Sequence, residues 1–223
     1  AATAAALSGF TSSSAANGNS IVSSQSAISS FSLGGPVGSS GATHFFGAGE
    51  YTREDKGSPV TSPVAPGVFV GQYRGWLGFL RVDRRFSERT NGFYRATLDA
   101  FHDTNPNGIV GGNSLPTVAR VFRRRTYGQQ LGLVSTLSPV VVNTARVQFQ
   151  LASPVTQFDP VKYGTQFQVP ISAGGTFTSG TSQSALLRNG QWDATDTLSV
   201  SHGRHLMKFG GSLVAARSGG DSK

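Results

Sequence analysis

The connections between the predicted strands alternate strictly in length along the chain. Long polar loops follow residue 53, run from 103 to about 123 and run from about 153 to 185, whereas tight turns lie at 88–91, 138–139 and 201–204. In an antiparallel meander successive connections lie at opposite ends of the sheet, so all the long loops share one end. Short turns on one side and long loops on the other are typical of transmembrane β-barrels.

About seven segments alternate apolar and polar side chains with the period of a β-strand. Most contain roughly ten residues or more, which is the length that a tilted strand needs to cross a bilayer. Strands of soluble proteins are usually nearer five or six residues. The pattern predicts an all-β fold, an antiparallel up-and-down meander that forms part of a large transmembrane β-barrel. The segments are 43–53, 74–87, 92–102, 124–137, 141–152, 187–200 and 204–216.

Composition narrows the class of protein further. Charged residues make up 13% of the 223 residues, the net charge is +8, and there are no cysteines. The absence of cysteine excludes disulfides and thiolate metal sites. No run approaches the ~18 apolar residues of a membrane helix, and residues 1–7 lack the basic start of a secretory signal. We therefore expect a mature chain, a truncated chain or a fragment.

The two faces of the predicted strands differ in chemistry. In a barrel the polar face lines an aqueous lumen and the apolar face contacts lipid. A soluble sandwich would explain the same alternation, so strand length and loop order are what favour the barrel. The predicted lumen-facing residues are Arg81, Asp83, Arg85, Arg95, Asp99, Arg146, Gln148 and Gln150. The predicted lipid-facing residues are Leu80, Val82, Tyr94, Ala96, Leu98, Val147, Phe149 and Leu151.

Catalytic and cofactor signatures are weak in this sequence. No nucleophile elbow or phosphate-binding loop is present, so we expect neither an enzyme nor a cofactor. His202 and His205 fall on opposite faces of a strand and cannot share a metal. Asp103, Asn105 and Asn107 resemble the first half of a calcium loop, but Ser114 stands where the bidentate Glu belongs. An ordinary Asx-rich turn is the favoured interpretation.

A dense basic cluster lies at 120–125, with the sequence Arg-Val-Phe-Arg-Arg-Arg. It could bind an anion such as a nucleic-acid phosphate or lipopolysaccharide. The favoured interpretation is a charged strand start at the membrane interface, where arginine reaches toward the headgroups. No nucleic-acid-binding motif accompanies the cluster, so nucleic acid is not an expected partner. Aromatic residues near the strand ends are candidates for an interfacial girdle, and core or cross-strand packing is the competing interpretation for each ring. They are Tyr73, Trp76, Tyr94 and Tyr127.

Several segments together resemble a known family. They are FSLGGPV at 31–37, THFFGAGEYTR at 43–53, LASPVTQFDP at 151–160 and DTLSVSHGRHLMKFGG at 196–211. In this order they resemble TonB-dependent outer-membrane receptors of the Oar-like type, over residues 31–216. The resemblance implies a Gram-negative outer membrane, a plugged barrel of about 22 strands, a substrate of unknown identity and energy from the TonB complex.

The resemblance also suggests how the chain is divided. Residues 1–30 are expected to be a low-complexity lead-in, 31–42 a plug-to-barrel junction, 43–216 a partial barrel and 217–223 a tail. Its partners would be outer-membrane lipid and the remainder of the barrel and plug. A piece of this kind is expected to be inactive alone. The alternative hypothesis is a soluble, secreted β-sandwich that binds a polyanion or a glycan, in which the apolar face would meet a second sheet.

Overall fold

The fold is an antiparallel meander of long strands. In the computed structural model, residues 23–62, 65–158, 164–170 and 176–222 are described. Eight strands form one sheet in the order β1-β2-β3-β4-β5-β6-β9-β10, and β7 and β8 form a separate two-stranded sheet. The strands are β1 (Ser24–Pro36), β2 (Thr43–Val60), β3 (Gly67–Arg85), β4 (Thr90–Asp103), β5 (Val121–Ser138), β6 (Val141–Gln157), β7 (Phe167–Pro170), β8 (Thr176–Ser179), β9 (Ala185–His202) and β10 (His205–Ser222).

This arrangement confirms the predicted fold class. Every neighbouring pair in the large sheet is antiparallel, and the order along the sheet follows the chain except where the β7–β8 hairpin is inserted. The sheet is open, with β1 and β10 at its two edges. No second sheet covers either face among the described residues, so the β-sandwich alternative does not describe this fold.

Both ends of the sheet extend beyond the predicted limits of the barrel. β1 lies within the predicted lead-in and junction, and it pairs with β2 along its whole length, from Ser24 with Lys56 to Pro36 with His44. β10 continues through the predicted tail to Ser222. These segments are rich in Ser and Gly, so they carry little hydrophobic pattern. Backbone hydrogen bonds between strands do not depend on a hydrophobic pattern, so these segments pair all the same. With β1 included, the large sheet contains eight strands instead of the seven predicted. Residues 1–22 of the predicted lead-in lie outside the described residues.

The first predicted long loop is shorter than expected. The sequence predicts a connection from 54 to 73, but β2 continues to Val60 and β3 begins at Gly67. The pairing runs without a register shift from Arg53 with Arg74 to Val60 with Gly67, so the two strands extend as a hairpin beyond the predicted segments. The other two long connections remain long, at 104–120 and 158–184, and they lie at the same end of the sheet as 61–66. The connections at the opposite end are 37–42, 86–89, 139–140 and 203–204.

A small hydrophobic core lies at the long-loop end, outside the large sheet's central region. Its buried members are Val60 at the end of β2 and Val110, Leu115 and Val118 from the 104–120 connection. Phe177 of β8 packs against them, and Leu115 N donates to the carbonyl oxygen of Thr178 at 3.1 Å. We call this unit the loop cap. It comprises the end of β2, the 104–120 connection and the β7–β8 hairpin.

The sheet itself buries no large hydrophobic side chain outside the loop cap among the described residues. Its bulky apolar side chains remain accessible, as shown by Trp76 at 56%, Leu131 at 55% and Leu213 at 70% exposure. Within the described part of the chain, no helix is long and apolar enough to cross a membrane.

Candidate functional site

The pairing register places all eight predicted lipid-facing residues on one face of the sheet. Side chains directly opposite each other across paired strands share a face. Two cross-strand rows contain most of these residues. Leu98 and Leu151 lie on the same face, because each is two residues along its strand from a member of a row. We call this surface the apolar face, and its contact with lipid remains a prediction. The row is Val82–Tyr94–Leu131–Val147–Ala194, and its neighbour is Leu80–Ala96–Gln129–Phe149–Trp192.

The eight predicted lumen-facing residues all lie on the opposite face, which we call the polar face. Two rows of side chains cross it from β3 to β9, and Arg85, Asp99 and Gln150 belong to the same face by alternation. Gln130 and Asp193 also lie on this face, although they are not among the predicted residues. Alternation along β6 alone cannot identify Asp193, because Asp193 lies on β9. Its face follows from its pairing with Gln148 of β6. The rows are Arg81–Arg95–Gln130–Gln148–Asp193 and Asp83–Phe93–Gly132–Arg146–Thr195.

Arg81 is held in place on the polar face by three contacts. Its Nε donates to Oδ2 of Asp83 at 2.7 Å and its Nη2 donates to Oδ1 at 2.8 Å, a bidentate geometry. Its guanidinium also lies 4.5 Å from the centre of the Phe93 ring, where the ring's electron density attracts a cation. Phe93 in turn covers Gly132, because a Cβ at Gly132 would meet the Phe93 ring. The result is a rigid charged surface built from adjacent strands.

A second ion pair lies nearer the long-loop end. Arg124 donates from Nη2 to Oδ2 of Asp99 at 2.5 Å, and its guanidinium lies 4.9 Å from the centre of the Phe101 ring. Asp99 was predicted for the polar face, whereas Arg124 was treated only as a member of the basic cluster. Because side chains alternate along β5, Arg124 faces one way and its neighbours Arg123 and Arg125 face the other. The basic cluster is thus divided between the two faces of the sheet, with Arg124 on the polar face and Arg123 and Arg125 on the apolar face.

Two recesses on the polar face lie at the middle of the sheet and toward its long-loop end. A groove of about 620 Å³ is lined by side chains that include Glu50, Leu77 and Asp99. A smaller recess of about 240 Å³ lies beneath the loop cap, where Glu54, Lys56, Tyr73 and Asp103 line it. Carboxylates, an ammonium group and a phenol in one recess can form hydrogen bonds with a polar ligand. Glu54 and Lys56 are not among the predicted site residues, because the first predicted strand ends at residue 53.

The calcium-like motif holds a turn together. Asn105 accepts a hydrogen bond at Oδ1 from Val110 N at 2.8 Å and donates from Nδ2 to Ser58 Oγ at 3.1 Å. Asp103 Oδ1 accepts from the Asn105 backbone N–H at 2.9 Å, and Asn107 has a positive φ of 59°. Side-chain hydrogen bonds to nearby backbone N–H groups and a positive φ at Asn are typical of an Asx-rich turn. In the described ranges, no group of three or more His, Asp or Glu side chains is placed to hold a metal ion.

The placement predicted for His202 and His205 is wrong. His202 ends β9 and His205 begins β10, and the two residues pair directly across the turn, so they share one face instead of lying on opposite faces of one strand.

The proposed aromatic girdle is divided between the faces. Trp76, Tyr94 and Tyr127 lie on the apolar face, and Trp76 packs against Tyr51 with ring centres 4.4 Å apart. Tyr73 does not belong with them, because an odd-numbered residue of β3 points to the polar face. Its ring instead stacks on Phe101 at 5.5 Å. Tyr73 therefore follows the competing interpretation, cross-strand packing.

Comparison with known proteins agrees with this geometry. The model of the outer membrane beta barrel domain family matches residues 70–222, which is more than half of the chain. The chain belongs to this family. Among curated proteins, none matches the sequence. The outer membrane transporter YddB from Escherichia coli has a similar structure, with a TM-score of 0.67 and 11% sequence identity over 87% of this chain.

As an outer membrane beta barrel domain, the chain is located in the outer membrane, as predicted. The chain covers 26% of the length of the YddB chain. A barrel in lipid must be closed, because a strand edge has unpaired backbone groups that hydrocarbon cannot solvate. The open edges at β1 and β10 therefore require further barrel strands as partners, and the bilayer is the natural partner of the apolar face.

Proposed function

We propose that this barrel segment belongs to a TonB-dependent receptor of the Oar-like type, which binds a substrate outside the cell and imports it. The observation that carries the proposal is the continuous polar row on one face of the sheet, Arg81–Arg95–Gln130–Gln148–Asp193. A wall of charges and amides on the inside of a barrel is suited to hold a folded plug by hydrogen bonds. The similarity in fold to an outer membrane transporter supports a role in transport.

The polar face also determines which partners the segment has within the receptor. The remainder of the barrel pairs with β1 and β10, and the plug contacts the groove lined by Glu50, Leu77 and Asp99. The TonB complex acts on the plug and not on this segment. The segment alone closes no pore and has no import activity.

Substrate capture belongs to the long-loop end in this proposal. The recess lined by Glu54, Lys56, Tyr73 and Asp103 lies on the polar face directly beneath the loop cap. A ligand entering from outside meets these groups first. Their mixture of carboxylates, ammonium and phenol favours a polar, hydrogen-bonding substrate. The segment acts through binding, without a catalytic step.

The experiment is an uptake comparison with the complete receptor that contains this barrel segment. Cells with and without a functional TonB complex receive a panel of labelled iron chelates, oligosaccharides and peptides. We expect uptake of at least one class only when TonB is functional. Diffusion of small sugars at equal rates in both strains would show an open pore and would overturn the proposal.

A Lys56→Gln variant tests the recess within the same assay. We expect it to weaken capture of the imported compound, measured as binding to TonB-deficient cells, while the amount of receptor in the membrane stays the same. Lys208→Gln is the matched control, because Lys208 lies on β10 near the short-turn end of the sheet.

A further inference from the structure

A row of basic side chains crosses four neighbouring strands on the apolar face. Arg53 pairs with Arg74, Arg74 with His102, and His102 with Arg123. We call these four residues the basic row. Strands in a sheet are about 4.8 Å apart, and like charges directly opposite one another destabilise a sheet. A row of this kind therefore needs negative charge from another source.

Part of that charge comes from the chain itself. Asp55 accepts hydrogen bonds from Arg74 at 2.6 Å and from Arg53 at 3.0 Å, so the β2–β3 half of the row has a carboxylate partner. The β4–β5 half has none within the described residues. The guanidinium groups of Arg123 and Arg125 are both exposed, and neither forms an ion pair or hydrogen bond with a described side chain. Arg123 of the basic row and Arg125, the next residue on the same face of β5, are therefore available for an external anion.

The height of the basic row in the membrane follows from the length of the apolar face. On β3, this face is uncharged from Arg74 to Arg84, through Trp76, Gly78, Leu80 and Val82. About ten residues at ~3.3 Å each, tilted by ~40°, span roughly 25 Å along the membrane normal. That is the height of the apolar band of a transmembrane barrel. Arg74 and its row therefore lie at the level of the lipid headgroups.

Aromatic residues support the same level. The next residue on the same face toward the membrane centre is aromatic for each of three arginines: Tyr51 below Arg53, Trp76 below Arg74, and Tyr127 below Arg125. Tyrosine and tryptophan are enriched at membrane interfaces. The row lies beside the 104–120 connection, and the long connections of such barrels are extracellular. The row thus lies at the outer leaflet.

We propose that Arg123 and Arg125, next to His102, form a binding site for the phosphate groups of outer-leaflet lipopolysaccharide. The two arginines are two residues apart on one strand, so their Cα atoms are about 6.6 Å apart. Their guanidinium groups reach a phosphate from two sides and donate charge-assisted hydrogen bonds to it. The acyl chains then lie along the apolar face below Tyr127. The inference depends on the outer-membrane location and not on TonB-driven import.

The test measures binding of purified lipopolysaccharide to the full chain in detergent, with enzymatically dephosphorylated lipopolysaccharide as the second probe. We compare the unchanged chain with an R123Q/R125Q variant and with an R84Q/R204Q control, which removes the same charge near the short-turn end. Arginine near an anionic lipid surface contributes on the order of 1 kcal/mol per residue, so R123Q/R125Q should bind roughly tenfold to thirtyfold more weakly. The control should bind like the unchanged chain.

Three results would overturn the proposal. They are equal loss in both double variants, no loss in R123Q/R125Q, and equally tight binding of intact and dephosphorylated lipopolysaccharide to the unchanged chain. The last comparison uses no variant, so it decides even if a substitution prevents folding. Displacement of bound lipopolysaccharide by millimolar inorganic phosphate would show a site for free phosphate instead of a lipid headgroup. An R123K/R125K variant, which keeps the charge, should retain most of the binding.

Discussion

The loop cap and the large sheet differ in where their apolar side chains lie. The cap buries Val60, Val110, Leu115 and Val118 against one another within a few connections. The sheet leaves residues such as Trp76 and Leu213 largely exposed. Water drives the cap to form its own core, since burial of apolar area is the main favourable term in folding. Among the described residues the large sheet buries no such core, and its apolar face stays accessible.

The contrast shows which part of the chain depends on its environment. A cap with its own core retains its packing wherever it meets water. A single open sheet exposes an apolar face and two unpaired edges, which promote association between chains. Four experiments test this difference between the loop cap and the large sheet.

The first experiment compares the chain in detergent or lipid with the chain in buffer alone. We expect the full chain to show a β-rich circular dichroism spectrum in detergent micelles or lipid and to aggregate in buffer, because the apolar face then has no partner. Sedimentation separates monomer from aggregate in each condition. A soluble monomer that unfolds cooperatively without detergent would contradict the assignment of the apolar face to lipid.

The second experiment distinguishes the two faces at adjacent residues. The chain has no cysteine, so Val147→Cys and Gln148→Cys each introduce a unique thiol. In lipid vesicles, a charged maleimide should label Cys at position 148 almost completely and leave position 147 almost unlabelled, because a charged reagent does not enter hydrocarbon. Mass spectrometry measures both.

After unfolding in urea, both thiols should react equally, which checks that the cysteines themselves are competent. Preferential labelling at position 147 in the folded chain would reverse the assignment of the two faces.

The third experiment weakens the cap without touching the sheet. Val118 is fully buried, at 0% exposure, and Val118→Ala should reduce the stability of the cap by about 2 kcal/mol through loss of buried methyl groups. Hydrogen exchange at residues 104–120 should accelerate, whereas exchange in β5 and β6 should not change. Val140→Ala is the matched control, because Val140 is 51% exposed in a turn at the other end. Equal acceleration across the sheet would show that cap and sheet unfold together.

The fourth experiment asks whether the motif at Asp103, Asn105 and Asn107 is a turn or a calcium site. The two interpretations predict opposite effects of one substitution on the stability of the loop cap. Asn105→Asp keeps the acceptor for Val110 N but removes the Nδ2 donor to Ser58 Oγ and to the Val110 carbonyl oxygen. If Asn105 acts as a turn residue, the cap loses about 1 kcal/mol. If the motif binds calcium, the added carboxylate strengthens binding instead. Hydrogen exchange at residues 104–120, with and without calcium, measures the sign.

Local features of the sequence were enough to predict the strands and their faces. Alternation of side chains has a period of two, so Leu80 and Arg81, or Val147 and Gln148, separate onto opposite faces without any knowledge of their neighbours. Strand length and the order of long and short connections then favoured a membrane barrel. β1 was not predicted, because its Ser-rich sequence carries little of this alternation.

Pairing between strands was decided only in the tertiary structure. Arg53, Arg74, His102 and Arg123 are far apart in sequence, and a shift of one residue in any register would send each to the other face. The basic row, the Asp99–Arg124 pair and the recess beneath the loop cap all depend on those registers. Side-chain alternation is a local property, so the order of residues along the chain is enough to specify long strands with two different faces. Only long-range pairing decided which charges meet.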